Sequence, residues 1–377
     1  MWGYEMKKQI LESKENEEYL TTQIITYLGN KRSLLSFIGD AVQFVKDDLG
    51  KNKIDVVDMF SGSGVVARYL KQHSRTLIVN DLEKYSYVLN DCYLSNVDEI
   101  NIKELKKWYK YVNVELGKGL KKGFISELYA PKDINSIKKG ERCFFTTKNA
   151  MYIDTCRQII EKIPYKYKKF FLAPLITEAS IKNNTAGVFK GFYKNSKTGI
   201  GQFGGNDENA LSRIKKDIEL PFPVFSNFSS TVKIYNEDAN ELVKKLKKVD
   251  LMYFDPPYNQ HPYGSNYFML NLINDYKKPC DISEVSGIPK NWNRSKYNKA
   301  KDSLKSFTEL CKNANATYLL ISFNSDGFIK LNEMKQMLTE IGTLKVFEQT
   351  YNTFRGSRNL RNRDIHVKEY LYLVKKY

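Results

Sequence analysis

The chain has 377 residues, 42% hydrophobic and 13% aromatic, with 60 lysines and arginines against 43 aspartates and glutamates, a net charge of +17. That length builds one large domain, or a core domain with one substantial insert. It contains no run of about 18 uncharged apolar residues, so no transmembrane helix is expected, and the charged stretch Met1 to Glu18 lacks an apolar signal core, so the expected location is the cytoplasm.

Helical spacing of Leu34, Leu35, Ile38, Val42 and Val45 predicts a first helix. Ile54 to Phe60 reads as a buried strand, and the turn Ser61 to Gly64 opens a helix from Val65 to about Gln72. Thr76 to Asn80 is a second strand and Glu83 to Leu94 a second helix. This alternation is the pattern of a parallel sheet with crossover helices. It lapses between about Asn101 and Ser230, where charged helices are expected, one of them from Ile159 to Ile181. The stretch Asn183 to Asn209 is rich in Gly, Asn, Lys and aromatics. Its segment Phe189 to Lys194 suits contact with phosphates and bases more than a packed core, a solvated surface insert being the plainer alternative. Strands resume at Thr231 to Tyr235, Leu251 to Phe254 and Ala316 to Ser322. A helix from Ile329 to Ile341 and a terminal hairpin of about Leu344 to Tyr351 with His366 to Val374 follow. The reading is an α/β core, 1–100 and 231–377, split by an insert at 101–230.

The positive excess points to a polyanion, most simply nucleic acid; a lysine-rich genome would produce the same charge without that partner. Cys92, Cys143, Cys156, Cys280 and Cys311 form no C-x-x-C pair and no zinc spacing, so no metal is expected.

Three features carry chemistry. The first is Asp58-Met-Phe60-Ser-Gly62-Ser-Gly64 at a strand-to-helix turn, where glycines let backbone approach a ligand and the helix start presents free N–H groups. Gly62 to Ala67 fits G-x-G-x-x-A, which signals only a nucleotide-like ligand and would equally suit a nicotinamide-dependent oxidoreductase. The second is Asp81 at the end of the next strand, placed either to accept from both hydroxyls of a ribose or to cap a helix. The third is Asp255-Pro256-Pro257-Tyr258 directly after a hydrophobic strand. Two prolines stiffen the turn. They hold the Asp255 carboxylate and the Pro256 carbonyl as two fixed acceptors for the two N–H donors of a base amino group. Acceptors that favour a pyramidal nitrogen and its developing positive charge lower the barrier to alkylation. Tyr258 offers a ring on which an extruded base can stack.

In these motifs and their order the chain resembles the alpha-group, Dam-like, adenine-N6 DNA methyltransferases, and most closely those of type II restriction-modification systems. The likeness spans most of the chain. Its elements are Tyr27-Leu-Gly-Asn-Lys31, the turn Asp58 to Gly64, Asn80-Asp81, Asn236-Glu-Asp238-Ala239, and Asp255 to Tyr258. Phe189-Lys-Gly-Phe-Tyr, Gly201 to Gly205, Asn266-Tyr-Phe and Thr353 to Arg358 add to it. The resemblance implies a Rossmann-like methyltransferase sheet with an inserted, mostly helical and loop target-recognition region, and S-adenosylmethionine as cofactor. It implies that Tyr27 and Lys31 close over the cofactor, Phe60 lines the methionine pocket, Asp81 binds the ribose, and Asp238 with the Ala239 backbone recognises the cofactor adenine. It implies double-stranded DNA as the partner, with a cognate restriction endonuclease encoded nearby. Cytosine-N4 methylation uses the same kind of tetrad and stays open as the alternative.

Lys190 and Lys194 are expected to touch DNA. So are Arg355, Arg358 and Arg361, in a segment, Asn352 to Lys368, with five basic residues against Asp364 alone. Pro279-Cys280 resembles the nucleophile dipeptide of cytosine-C5 methyltransferases, but it follows a Lys-Lys pair in a polar segment and no role is assigned to it.

Overall fold

The computed structural model describes residues 14–205, 210–352 and 366–377. The elements run α1 (Glu17–Thr21), α2 (Leu35–Leu49), β1 (Ile54–Asp58), α3 (Val65–Lys71), β2 (Ser74–Asn80) and α4 (Lys84–Tyr93). There follow α5 (Ile102–Gly117), α6 (Phe124–Tyr129), α7 (Thr147–Ile160), α8 (Tyr165–Ile181) and α9 (Leu211–Lys215). The chain closes with β3 (Thr231–Tyr235), α10 (Ala239–Leu242), β4 (Val249–Phe254), α11 (Tyr263–Asn266), α12 (Phe268–Asp275), α13 (Ala300–Asn313), β5 (Ala316–Asn324), α14 (Leu331–Thr339), β6 (Gly342–Asn352) and β7 (His366–Lys376).

Seven strands form one sheet in the order β3-β2-β1-β4-β5-β7-β6. The first five are parallel, and β7 lies antiparallel between β5 and β6. The expected α/β, Rossmann-like sheet is therefore present. All six residues of β4 are buried, as suits a parallel strand covered on both faces. Alternate residues divide between two cores. Val56, Leu251 and Leu320 pack with α2 and α3, while Val57, Met252 and Ile321 pack with α10, α13 and α14. From β1 the chain steps outward to β2 and β3, and from β4 it steps the other way to β5. The β1–β4 boundary is thus the switch point where such sheets open a crevice. Asp58 at the end of β1 sits in register with Tyr253, two residues before Asp255.

A third core is helical and rich in aromatics. It joins α4 to α5, α6, α7, α8 and α12. Segment 101–230 is also bonded to chain beyond β4. The Tyr129 hydroxyl donates to the Gly287 carbonyl at 2.8 Å, the Phe189 amide to the Asn266 carbonyl at 2.7 Å, and the Ser286 hydroxyl to the Lys190 carbonyl at 2.6 Å. The Arg142 guanidinium donates to the carbonyls of Leu128, Ser283, Glu284 and Val285.

Two expectations are corrected here. The helix predicted from Ile159 to Ile181 is two helices, because Pro164 cannot continue α7 but pre-sets the start of α8. Phe189 does not face solvent. It is 2% exposed, set among Phe144, Phe145 and Phe268. Within the expected base-contacting segment, Lys190 is exposed and so is Lys194. Among the described residues no helix is long and apolar enough to cross a membrane.

Candidate active site

At the carboxyl end of β1 the backbone turns sharply into α3. Gly62 has φ +51° and Gly64 φ +78°, the left-handed region that glycine tolerates. Side chains are also excluded by contact: a Cβ on Gly62 would lie 2.7 Å from the Tyr27 ring, and one on Gly64 2.7 Å from Asn90 Oδ1. The Gly62 amide donates to Asp81 Oδ2 at 2.7 Å, and the Glu83 amide to Oδ1 at 2.8 Å. Asp81 thus serves the α4 start and the glycine turn together. Burial pushes its carboxyl up to about 6 against the pull of these amides.

Asp58 is wholly buried and no side chain is bonded to either carboxylate oxygen, the Phe60 backbone being the group that pulls its carboxyl down. Burial, then Asp255 and Asp81, push its carboxyl well above the usual range. A buried acceptor pair left empty at the crevice is a feature that a cationic or donor-rich ligand would satisfy.

Asp255-Pro256-Pro257-Tyr258 leaves β4 beside this turn. The Tyr258 carbonyl accepts from the Phe328 amide at 2.9 Å, and its ring lies 5.5 Å from that of Phe323, which fixes the exit of the tetrad. Lys31 lies 3.3 Å from Asp255 Oδ1 and 2.7 Å from Glu369 Oε1, and its ammonium is 5.6 Å from the centre of the Tyr258 ring. The Ser322 hydroxyl donates to the same Glu369 oxygen. Burial and the Glu369 charge raise the Asp255 carboxyl to about 7, against the pull of Lys31. For Lys31 the largest single influence, burial, favours the neutral amine. Asp255 and Glu369 together outweigh it and hold the ammonium well above its ordinary value.

The segment carrying Tyr27 and Lys31 is strapped to α11 and α12. The Tyr263 hydroxyl donates to the Leu28 carbonyl at 3.1 Å, and the Leu28 amide donates to the Tyr267 hydroxyl at 2.7 Å. The Tyr27 ring stacks on Tyr263 at 4.9 Å and on Tyr267 at 4.8 Å. On the opposite wall, Asp238 Oδ1 caps α10 by accepting from the amides of Asn240 and Glu241, and Ala239 is buried behind it. Phe60 stands edge-on to Tyr297 at 5.3 Å, and the Tyr297 hydroxyl donates to Asn240 Oδ1 at 2.7 Å.

Tyr27, Lys31, Asp58, Phe60, Gly62, Asp81, Asp238, Ala239, Asp255 and Pro257 all line one cleft, which holds about 910 Å³ with its mouth. Gly64 shapes the turn just behind it, and Pro256 and Tyr258 complete the tetrad outside that lining. Several lining residues went unnoticed in the sequence, among them Tyr263 and Tyr297, which carry no motif. Glu83 is buried and raised to about 7, accepting from Asn271 Nδ2 at 2.6 Å, and only its place two residues after Asp81 hints at it. Glu369, beside the cleft, was also missed, although an acid in phase with Leu371 and Leu373 of an apolar strand is a visible signal.

Burial and then the Lys190 charge lower the His261 pKa, which puts Lys190 near His261, three residues beyond Tyr258 in sequence. Lys194 is on the same loop, pinned by a bridge to Gly201. Arg355, Arg358 and Arg361 lie outside the described residues. Cys280 is exposed and does not line the cleft.

The chain matches the family model of D12 class N6 adenine-specific DNA methyltransferases over residues 27–337. It is 28% identical to the type II methyltransferase M.NlaIII of Neisseria lactamica, covering 93% of this chain and 99% of that protein. It is 29% identical to the type II methyltransferase M.CviAII of Paramecium bursaria Chlorella virus 1, covering 93% and 98%. With the type II methyltransferase M.FokI of Planomicrobium okeanokoites it shares 27% identity over 93% of this chain and 52% of that longer protein. The glycine turn at the switch point, the acids of β1 and β2 and the tetrad after β4 all fall within the matched span, and the chain belongs to the D12 class of N6 adenine-specific DNA methyltransferases.

Proposed function

We propose that the protein is the site-specific modification enzyme of a restriction-modification system, transferring methyl from S-adenosylmethionine to N6 of adenine in duplex DNA in the bacterial cytoplasm. The observation that carries this reading is the single cleft that presents the glycine turn and the Asp255 carboxylate side by side. The type II relatives, matched almost end to end, support the modification role and the existence of a partner endonuclease.

The residues present suit S-adenosylmethionine. The unpartnered Asp58 carboxylate matches an ammonium at the amino-acid end of the cofactor. Asp81 suits a ribose diol, Phe60 the methionine end of the cofactor, and the Asp238–Ala239 corner a purine. When bound, this cofactor supplies an electrophilic methyl group on sulfonium. Asp255 and the Pro256 carbonyl accept the two hydrogens of the target amino group and orient its lone pair toward the cleft. Tyr258 stacks on the extruded base, since the amino nitrogen is out of reach inside the helix. Tyr27 closes the cleft wall and excludes water.

Reading of the target falls to 101–230, joined by 262–293 through the Tyr129, Arg142, Phe189 and Ser286 hydrogen bonds. Lys190, Lys194 and the basic residues Arg355, Arg358 and Arg361 bind backbone phosphates.

The experiment is transfer of labelled methyl to unmethylated duplex DNA, followed by separation of the nucleosides. Label in N6-methyl-2′-deoxyadenosine is expected. Label in N4-methylcytosine, or in RNA alone, would overturn the substrate assignment.

A further inference from the structure

Behind the cleft, one buried ammonium is shared by two acids. Lys31 is 2.7 Å from Glu369 and 3.3 Å from Asp255. The Glu369 side chain is wholly buried and that of Lys31 3% exposed, whereas Asp255 retains 17% and faces the cleft. A single Lys31–Asp255 pair would already be neutral. A second buried carboxylate adds desolvation cost that such a pair avoids, so stability alone does not account for it.

We propose that Glu369 is a positioning residue for methyl transfer, drawing the Lys31 ammonium away from Asp255 so that the Asp255 carboxylate stays available to the target amino group. Were Lys31 to close fully on Asp255, that acid would be spent on a charge-assisted bond and would accept poorly from the substrate. Ser322 fixes the arrangement from β5 by donating to the Glu369 oxygen that Lys31 uses. Three distant parts of the chain must therefore meet: the segment before α2, the end of β4, and β7.

The proposal rests on Asp255 being the acceptor of the amino hydrogens. Asp255 is faced by Lys31 from the N-terminal segment, Glu369 from β7, Asp58 from β1, Tyr253 from β4, and Tyr258 and Tyr263 from the chain that follows. Burial does most to keep the Asp255 carboxyl high, Lys31 opposes it, and the Glu369 charge adds to the rise.

The test is the single-turnover rate of methyl transfer against pH, using the full chain, duplex DNA and labelled S-adenosylmethionine. In Glu369→Gln the plateau rate should fall ~10-fold or more. Its acid limb should move to lower pH by about one unit, because the negative neighbour is gone and Lys31 turns to Asp255. Dissociation constants for cofactor and DNA should change by less than about 3-fold. Glu369→Asp keeps the charge but withdraws it, and should lose less rate with a smaller shift in the same direction. A wild-type rate and limb in Glu369→Gln, or a slower enzyme whose limb stays in place, would overturn the proposal. If Glu369→Gln does not fold, Glu369→Asp decides by the same two readings. An Asp255→Ala enzyme with near-wild-type rate would instead sink the reading of Asp255 itself; an inactive one beside an unperturbed Glu369→Gln would sink only the role of Glu369.

Discussion

The Tyr267 hydroxyl accepts the amide of Leu28 at 2.7 Å, across 239 positions of sequence. Tyr263 holds the Leu28 carbonyl, so the chain after the tetrad sets where the Tyr27–Lys31 segment lies. Removing the Tyr267 hydroxyl leaves a part-buried amide without its acceptor, at a cost of about 1 kcal/mol. Tyr267→Phe should therefore bind cofactor ~5-fold or more weakly, measured by calorimetry, with the Tyr27 stack loosened. Unchanged affinity would show that the segment is held by ring stacking alone.

Asp58 should be a stability liability in the free protein. Its two oxygens are buried with no side-chain partner, a situation that costs about 1–3 kcal/mol. Asp58→Asn should raise the melting temperature of the ligand-free enzyme and abolish cofactor binding. A lower melting temperature would mean that the carboxylate has a stabilising partner after all.

The cleft acids give stability a definite pH sign. Asp81 is raised to about 6, and Asp255 and Glu83 to about 7. Each is an acid whose folded value exceeds its ordinary unfolded one near 4. The folded state thus binds protons more tightly, and the stability these groups contribute is complete below about pH 4 and lost as pH rises through about 7. Comparing chemical denaturation of wild type and Glu83→Gln across this window isolates one such group. The variant should gain on wild type as pH rises from 5 to 8. A constant difference would place the Glu83 titration outside the window.

Lys190→Gln combined with Lys194→Gln should weaken duplex binding and reduce the dependence of log affinity on log salt by about one for each phosphate no longer neutralised. The effect should be similar on cognate and unrelated sequences. An unchanged slope would remove both lysines from the DNA face.

The glycine turn, the acids at strand ends and the tetrad were readable because each depends on neighbours within a few residues. A buried run followed by Gly62 or by Pro256 specifies its own geometry. What escaped depends on distant partners. Phe189 sits in a polar, basic stretch whose local composition argues for exposure, yet Phe144 and Phe268 bury it. The single helix expected through Pro164 followed apolar spacing and overlooked a residue that lacks an N–H. Glu369 acquires meaning only opposite Lys31, 338 positions away.

The Arg142 guanidinium, bonded to carbonyls at 283–285 from a position in 101–230, also bears on engineering. Exchanging target preference between relatives by grafting the continuous insert alone would bring in an arginine without its carbonyls and a Tyr129 without Gly287. A working chimaera should therefore carry both pieces, about 101–230 and 262–293, from the same parent, while the tetrad and its sheet come from the other.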